Sequence, residues 1–197
     1  MLYPILRRCL LAMPVFLSVI GCAVGVSARP ATVFIPHLER IQSNLPEGLA
    51  MRLPTDIPIN GHSDIEESKL VVRVFPSGTP QSFTVSVFTC ESSPLPCFLG
   101  SFSVEKKTAE SAKRELERHQ AKGDRIPLTK SLRGYLIEGP RQNPSYQFST
   151  VMWQHNDMIY TISFPASERE SLITMAVSMA QEKPLYSLSA SRASQGK

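Results

Sequence analysis

The feature that most constrains this sequence is a repeated alternation of apolar and polar residues in short runs. In the run 82–90, Phe83, Val85 and Val87 occupy every second position. A period of two places successive side chains on opposite faces of an extended chain, which is typical of a half-buried β-strand. The runs 97–104 and 158–164 repeat the pattern, and the short run 49–53 predicts a further strand. Because strands joined by short turns pair antiparallel, the sequence predicts an antiparallel sheet.

Three helical segments bound these strands. Residues 37–45 form a short amphipathic stretch, and residues 108–121 form a charged one with a thin apolar stripe, which is predicted to lie on the surface. The last segment opens with an S-x-x-E capping box at 167–170. Apolar residues then follow at helical spacing: Leu172, Met175, Ala176, Met179 and Ala180. The predicted fold class is α+β, an antiparallel β-sheet flanked by helices with a C-terminal amphipathic helix.

The first 28 residues have the composition of a signal peptide. Two arginines precede the apolar run 9–20, which is shorter than the ~20 residues of a membrane-spanning helix. Small residues at 26–28 then offer a cleavage site after Ala28. A second interpretation remains open, because the sequence VIGC at 19–22 resembles a bacterial lipobox in which Cys22 is lipidated. Either way, the protein is predicted to be exported, to the periplasm or tethered to a membrane as a lipoprotein.

The predicted organisation beyond the leader is one α+β domain over residues 29–184 and a flexible polar tail over 185–197. The whole chain has 197 residues and a net charge of +4. Without the two leader arginines, 19 basic residues face 17 acidic ones, which gives no case for nucleic-acid binding. The stretch 106–141 is locally basic, so an acidic partner or an anionic lipid surface is a candidate there.

Two cysteines remain after the leader, Cys90 and Cys97. Paired cysteines of an exported chain normally form a disulfide, and the Pro/Ser-rich segment between them is typical of a turn. The sequence therefore predicts a Cys90–Cys97 bridge. A metal site would need further ligands at workable spacing, and the separation is not that of a redox CxxC motif.

Several motifs together carry a family resemblance. They are the segment MRLPTDIPI at 51–59, the cysteine pair followed by FLGSFSVE, Gly134-Tyr135, and a hairpin with Trp153 and Tyr160. This combination, over most of residues 35–182, resembles a group of exported cyanobacterial proteins. The element order is similar to that of the photosystem II extrinsic-protein and Mog1-like fold class. The resemblance implies a sheet sandwiched by helices and carries over no catalytic residue. A second cysteine pair, which group members often have near 139–149, is missing here.

Two interpretations of the hairpin aromatic residues stay open. Trp153 and Tyr160 flank a turn at 155–157, where Asn and Asp tolerate the left-handed backbone of tight hairpins. They are either core residues packed under the last helix or, together with Arg133 and Tyr135, a candidate binding surface.

The histidines show no metal-ligand spacing, and hydrolase and nucleotide-binding motifs are missing from the sequence. We therefore expect no enzyme activity, no cofactor and no metal, although His155 with Ser149 would be the place to look for a hydrolase. The predicted function is a non-catalytic binding or interaction module of the cell envelope, whose partner is an unknown envelope protein or a membrane surface. The alternative is a carrier of a small apolar or lipid ligand, which would need a cavity beside Met175 and Met179.

Overall fold

The computed structural model describes residues 29–59, 66–76, 82–91 and 97–188. The predicted signal peptide, the lipidation candidate Cys22 and the tail from residue 189 onward lie outside the described residues. Within the described ranges, no helix is both long enough and apolar enough to span a bilayer.

The described chain forms one antiparallel sheet with helices on both sides. Its strands, in sheet order, are β1 (Val71–Pro76), β2 (Ser82–Phe88), β3 (Phe98–Lys106), β7 (Met158–Pro165), β6 (Phe148–His155), β5 (Arg133–Ile137) and β4 (Asp124–Pro127). The helices are α1 (Leu38–Asn44), α2 (Glu110–Lys122) and α3 (Arg169–Gln181). The predicted α+β class is confirmed. The hairpin turn between β6 and β7 is also confirmed, with Asn156 at a positive φ of 55°.

One face of the sheet, the α3 face, holds the main core. Every strand contributes a buried apolar side chain to it: Val74, Val85, Val104, Ile162, Val151, Leu136 and Ile126. Helix α3 covers this face with Leu172, Met175, Ala176 and Met179, all fully buried. The apolar side of the last helix therefore packs on the sheet, as its amphipathic pattern predicts.

The opposite face, the α2 face, has a smaller core. Ala109, Ala112 and Leu116 pack with Met152 and Ile159 over β6 and β7. Over β1–β3 the same side of the sheet carries small hydroxyl residues, such as Thr84 and Ser103, whose side-chain oxygens lie 2.9 Å apart. Helix α2 thus has the thin apolar stripe expected from its sequence. The stripe is buried against the sheet, and the charged side of the helix is exposed.

Three local predictions need correction. The predicted strand at 49–53 makes only a single bridge, between Met51 and Leu185. That bridge also holds the start of the predicted tail against the domain, and Ser187 is buried. At the start of α3, a 3₁₀ turn over Ala166–Glu168 replaces the predicted capping box, and the Ser171 hydroxyl donates a 3.0 Å hydrogen bond to the Glu168 carboxylate.

The predicted disulfide is present between Cys90 and Cys97, whose Cα atoms are 5.5 Å apart. It joins the chain just after β2 to the chain just before β3, where the Thr89 amide donates a 2.8 Å hydrogen bond to the Cys97 carbonyl. A shift in register at Phe88 turns Phe98 onto the α2 face and Leu99 onto the α3 face. The strict alternation predicted for residues 97–104 therefore fails at its first two positions.

Candidate functional site

The predicted binding surface does not form one surface. Trp153 and Tyr160 are buried on the α3 face, where their rings stack with centroids 5.4 Å apart. Tyr135 lies on the other face, half-buried against the α2 cluster, and Arg133 is exposed on β5. The period of two explains the separation, because Tyr135 pairs with Met152 and points away from the neighbouring Trp153. The interpretation of the hairpin aromatics as core agrees with this burial, and the exposed platform does not.

Tyr160 nevertheless reaches a cleft at the edge of the α3 face. The cleft is half-open, has a volume of about 270 Å³, and lies between residues 48–52, the β6–β7 turn and residues 184–186. The Tyr160 hydroxyl donates a 2.7 Å hydrogen bond to the Ala50 carbonyl at its wall. Tyr186, which is 49% exposed, also lines the cleft. Clefts that gather polar groups around an apolar lining are typical ligand sites.

Arg52 is the most unusual residue of this cleft, because it is charged and only 8% exposed. Its Nη1 donates hydrogen bonds to the carbonyls of Met179, Ala180 and Glu182 at the end of α3. Those carbonyls lack partners within the helix and carry its partial negative charge, so the arginine stabilises them. The buried Nε, however, has no hydrogen-bond partner among the described residues. Arg52 therefore caps the helix with one part of its guanidinium and leaves a donor unused.

His155 supplies the second unused nitrogen. Its Nδ1 is buried and has no hydrogen-bond partner in the described chain. Burial lowers the pKa of His155, and the nearby positive charge of Arg52 lowers it further. Burial raises the pKa of Tyr160, and a hydrogen bond with Arg52 and the charge of Arg52 act in the opposite direction. The lowered pKa of His155 and the raised pKa of Tyr160 both favour the uncharged form of these two side chains.

At the cleft, more positively than negatively charged side chains are free of an ion pair with a described residue. Its lining residue Asp157 is already paired with Lys107, at 2.5 Å between Nζ and Oδ1. Lys106 reaches the rim at Gly48, where a Cβ atom would lie 2.9 Å from its Nζ. No described carboxylate forms an ion pair with Arg52 or Lys106. The arrangement can therefore accept a hydrogen-bond acceptor or an anion without first breaking an ion pair.

A second cavity, of about 430 Å³, opens beside the end of α2. Most of its charged residues are already paired, because Arg141 lies 3.2 Å from Asp124 and Glu138 lies 2.7 Å from Arg169, whereas Lys122 forms no ion pair with a described carboxylate. Arg169 and Arg141 lower the pKa of Glu138 through these contacts, with the hydrogen bond from Arg169 as the main cause. Since both of its carboxylates and two of its three cations are already paired, this cavity is the weaker candidate for a ligand.

Two other sequence hypotheses can be compared with this geometry. Met175 and Met179 are fully buried, and neither lines either cavity. Ser149 and His155 lie at opposite ends of the β6–β7 ladder, with Ser149 beside Phe164 and His155 beside Met158, so they cannot act together. Among the described residues, no group of three or more His, Cys, Asp or Glu side chains could hold a metal ion.

Sequence reasoning missed the central residue of the cleft. Arg52 lies in a short segment between prolines, and nothing in its neighbours indicates a buried arginine. Its partners come from the far end of the chain, at residues 155–186. No local pattern could have brought them together.

Comparison with protein-family models, with curated proteins and with solved structures finds no match to this chain.

Proposed function

We propose that this protein is an exported, non-catalytic binding module of the cell envelope, and that the cleft around Arg52 and His155 holds its ligand. The observation that carries the proposal is the buried Arg52, which lines an open cleft and forms no ion pair with a described carboxylate. Placing an arginine there costs desolvation energy that a hydrophobic residue would avoid. The helix cap and the contact with Tyr160 explain part of this placement, and the open cleft beside Arg52 leaves room for a ligand.

Export is the part of the proposal that rests on the leader and the disulfide. The Cys90–Cys97 bridge is compatible with an oxidising compartment. Lipidation at Cys22 would tether the module to a membrane, and cleavage after Ala28 would release it. The intact mass of the protein purified from its native envelope distinguishes these two products, because only a lipidated chain begins at Cys22 and carries acyl groups.

A carrier of a purely apolar ligand is the second candidate function. It fits the geometry less well, because the interior beside Met175 and Met179 is filled by side chains of the sheet and α3. The cleft is lined by polar residues, among them Arg52 and His155, and by the exposed Tyr186. A binding module for a small, partly polar molecule is therefore favoured over an apolar carrier.

Native mass spectrometry of the envelope-purified protein tests the binding function. We expect a small molecule to remain bound to the wild type and to be lost from Tyr186→Ala, since that tyrosine forms one side of the cleft. Tyr146→Ala is the matched control, because Tyr146 is 52% exposed and lies away from the cleft. A wild-type protein that carries no ligand, or equal retention by both variants, would contradict the proposal.

A further inference from the structure

We propose that the α2 side of the protein docks on a bilayer surface that contains anionic phospholipids, and that charge alone holds it there. The docking surface, the basic surface, is formed by α2, β4 and the start of β5, over residues 110–133. It lies on the other side of the sheet from the core that α3 covers, so the inference goes beyond the cleft and does not depend on a ligand there. It starts from the cations of these elements that have no ionic partner.

The basic surface has more free cations than free carboxylates. Six of its exposed basic side chains form no ion pair with a described residue: Lys113, Arg114, Lys122, Arg125, Lys130 and Arg133. Over the same range the carboxylates of Glu115 and Asp124 are already paired, with Arg118 and Arg141. Glu110 and Glu117 are the two exposed carboxylates that form no ion pair with a described residue. Uncompensated positive charge of this kind attracts a negatively charged partner.

Helix α2 turns its cations toward solvent on the α2 side. It buries Ala112, Leu116 and His119 beneath it, so the basic residues on the rest of its circumference are exposed. Arg114 and Lys122 are eight residues apart, which places them two turns apart on the same flank of the helix. The helix therefore presents a row of positive charge rather than a single cation.

The β4–β5 hairpin extends the basic surface beside α2. Arg125 pairs with Tyr135 across the two strands, and its guanidinium lies 5.9 Å from the centre of that ring. Tyr135 packs against the α2 cluster, and Arg133 shares its face of β5 because side chains alternate with a period of two. The two arginines therefore lie on the same side of the sheet as α2, and Lys130 lies in the turn that joins their strands.

The other side of the molecule carries the opposite charge. Residues 38–59 pack their apolar side chains into the core of the α3 face. Glu39, Glu47 and Asp56 are exposed there without an ion pair to a described residue, and Arg40 is the one exposed cation of this range. A negatively charged plane therefore attracts the α2 side and repels the other, which orients the docked protein.

The kind of partner follows from the apolar residues that the basic surface lacks. Specific protein interfaces have a buried centre enriched in aromatic residues. The exposed large apolar side chains of the described residues all lie outside the basic surface: Ile35, Phe75, Tyr146 and Tyr186. A bilayer needs no such centre, because its negative surface potential attracts each nearby Lys or Arg separately. Cations spread over a helix and a neighbouring hairpin therefore fit a planar lipid surface better than a protein.

Cosedimentation with lipid vesicles tests the inference. We would use the oxidised chain from residue 29 onward, which contains the whole described core and no leader or acyl group that binds lipid by itself. The vesicles are phosphatidylcholine alone and phosphatidylcholine with about one-third phosphatidylglycerol. We expect binding to the anionic vesicles only. Binding should be lost when the salt concentration rises from about 0.01 M to about 1 M, because the Debye length falls from about 30 Å to about 3 Å.

Two double variants assign the binding to the basic surface. Arg114→Gln/Lys122→Gln removes two cations from α2, and Lys130→Gln/Arg133→Gln removes two from the hairpin. Each double variant should weaken binding to the anionic vesicles about 25-fold, since about fivefold per cation corresponds to ~1 kcal/mol for each charge near the membrane.

The matched control is Arg40→Gln/Lys183→Gln. It lowers the net charge by the same amount, at exposed positions in α1 and just after α3. It should bind the anionic vesicles almost as the wild type does. Urea unfolding of all three double variants shows that a loss of binding is not a loss of the fold.

Several results would overturn the inference. They are binding to phosphatidylcholine alone, no binding to the anionic vesicles at low salt, and unchanged binding in both basic-surface variants. An equal loss in the control would also overturn it, because the response would then be to net charge rather than to one surface. Poly-glutamate, titrated in parallel, represents an acidic protein. Tighter binding of poly-glutamate than of vesicles at equal negative charge would overturn the lipid assignment in favour of such a partner.

Discussion

The two faces of the sheet differ in how they are built. On the α3 face, all seven strands of the described sheet contribute buried apolar side chains, and two helices cover them. On the α2 face, one helix makes its main contacts with β5, β6 and β7, and its cluster centres on Leu116, Met152 and Ile159. Since hydrophobic stabilisation grows with the apolar area removed from water, most of it comes from the α3 face.

This difference indicates where the fold is rigid and where it can open. The cleft lies at the edge of the α3 face, supported by the end of α3 and by the stacked pair Trp153–Tyr160. A site on a well-packed face keeps its geometry without a ligand. Helix α2 rests on a few contacts and an exposed charged surface, so it is the element that can detach at low cost.

The largest loss of stability is expected when a substitution removes a large side chain from the core of the α3 face. Phe102 is fully buried, and its ring meets the edge of Phe34 with centroids 5.6 Å apart. Phe102→Ala should lower the free energy of unfolding by about 3–5 kcal/mol. Urea unfolding of the oxidised protein measures this loss, and Phe102→Leu provides a smaller step if the alanine variant fails to fold. A loss below that of the α2-face variant described next would refute the ranking of the two faces.

A smaller and more local loss of stability is expected when a buried side chain of the α2 face is shortened. Leu116 is 5% exposed and belongs to a small cluster of five buried residues. Leu116→Ala should cost about 2 kcal/mol, near the lower end for a core leucine, because the site can partly collapse or fill with water. Hydrogen exchange should show faster exchange in α2 and unchanged exchange in α3. Gln120→Ala, on the exposed side of α2, serves as the control.

The pH dependence of stability tests the α2 face in a second way. His119 is 1% exposed, and its ring nitrogens lie 3.0 Å from the Glu115 carbonyl and 2.8 Å from the Thr150 hydroxyl. Burial lowers its pKa below the ordinary value of 6.5, and the charge of Arg118 adds to this, whereas Glu115 opposes it.

The unfolded chain therefore takes up a proton at His119 more readily than the folded chain does. The stability linked to His119 is complete above pH 6.5 and declines as the pH falls below that value. His119→Gln should reduce this slope in urea unfolding measured over a pH series. The lowered pKa of His155 contributes in the same direction, so His155→Gln is measured beside it. An identical slope in wild type and His119→Gln would show that this histidine is not the linked group.

The smallest loss of stability is expected when the ion pair that joins the end of β5 to the start of α3 is removed. Glu138 accepts a 2.7 Å hydrogen bond from Arg169 Nε, and both side chains are partly exposed. Glu138→Gln should lower stability by less than about 1 kcal/mol, as expected for a solvent-screened pair. The pKa of Glu138 is lowered, so this contribution is present above pH 4.5 and lost in acid. Glu170→Gln is the control, because Glu170 contacts the same arginine from an 80% exposed position. A larger loss in the control would contradict the assignment.

Local patterns predicted the elements well and their assembly poorly. The run at 82–90 and the hairpin around Asn156 are recovered because period-two alternation and turn chemistry act over a few residues. The pairing of β3 with β7 could not be predicted, since neither strand carries a signal for its distant partner. The cleft was missed for the same reason, because Arg52 meets His155 only after the last hairpin and α3 are in place.

The β3–β7 pairing also has a consequence for how the chain acquires its shape. Strands β1–β3 form one meander and strands β4–β7 form another, and in the described sheet the one ladder between them joins Ser101–Lys106 to Met158–Ser163. Neither meander can complete the sheet alone, and each leaves an unpaired edge until β7 is available. Contacts between such distant segments form late and slowly. A nascent chain of this kind cannot complete its sheet until its last strand is available, and under the proposed export that delay would keep the chain unfolded while it crosses the membrane.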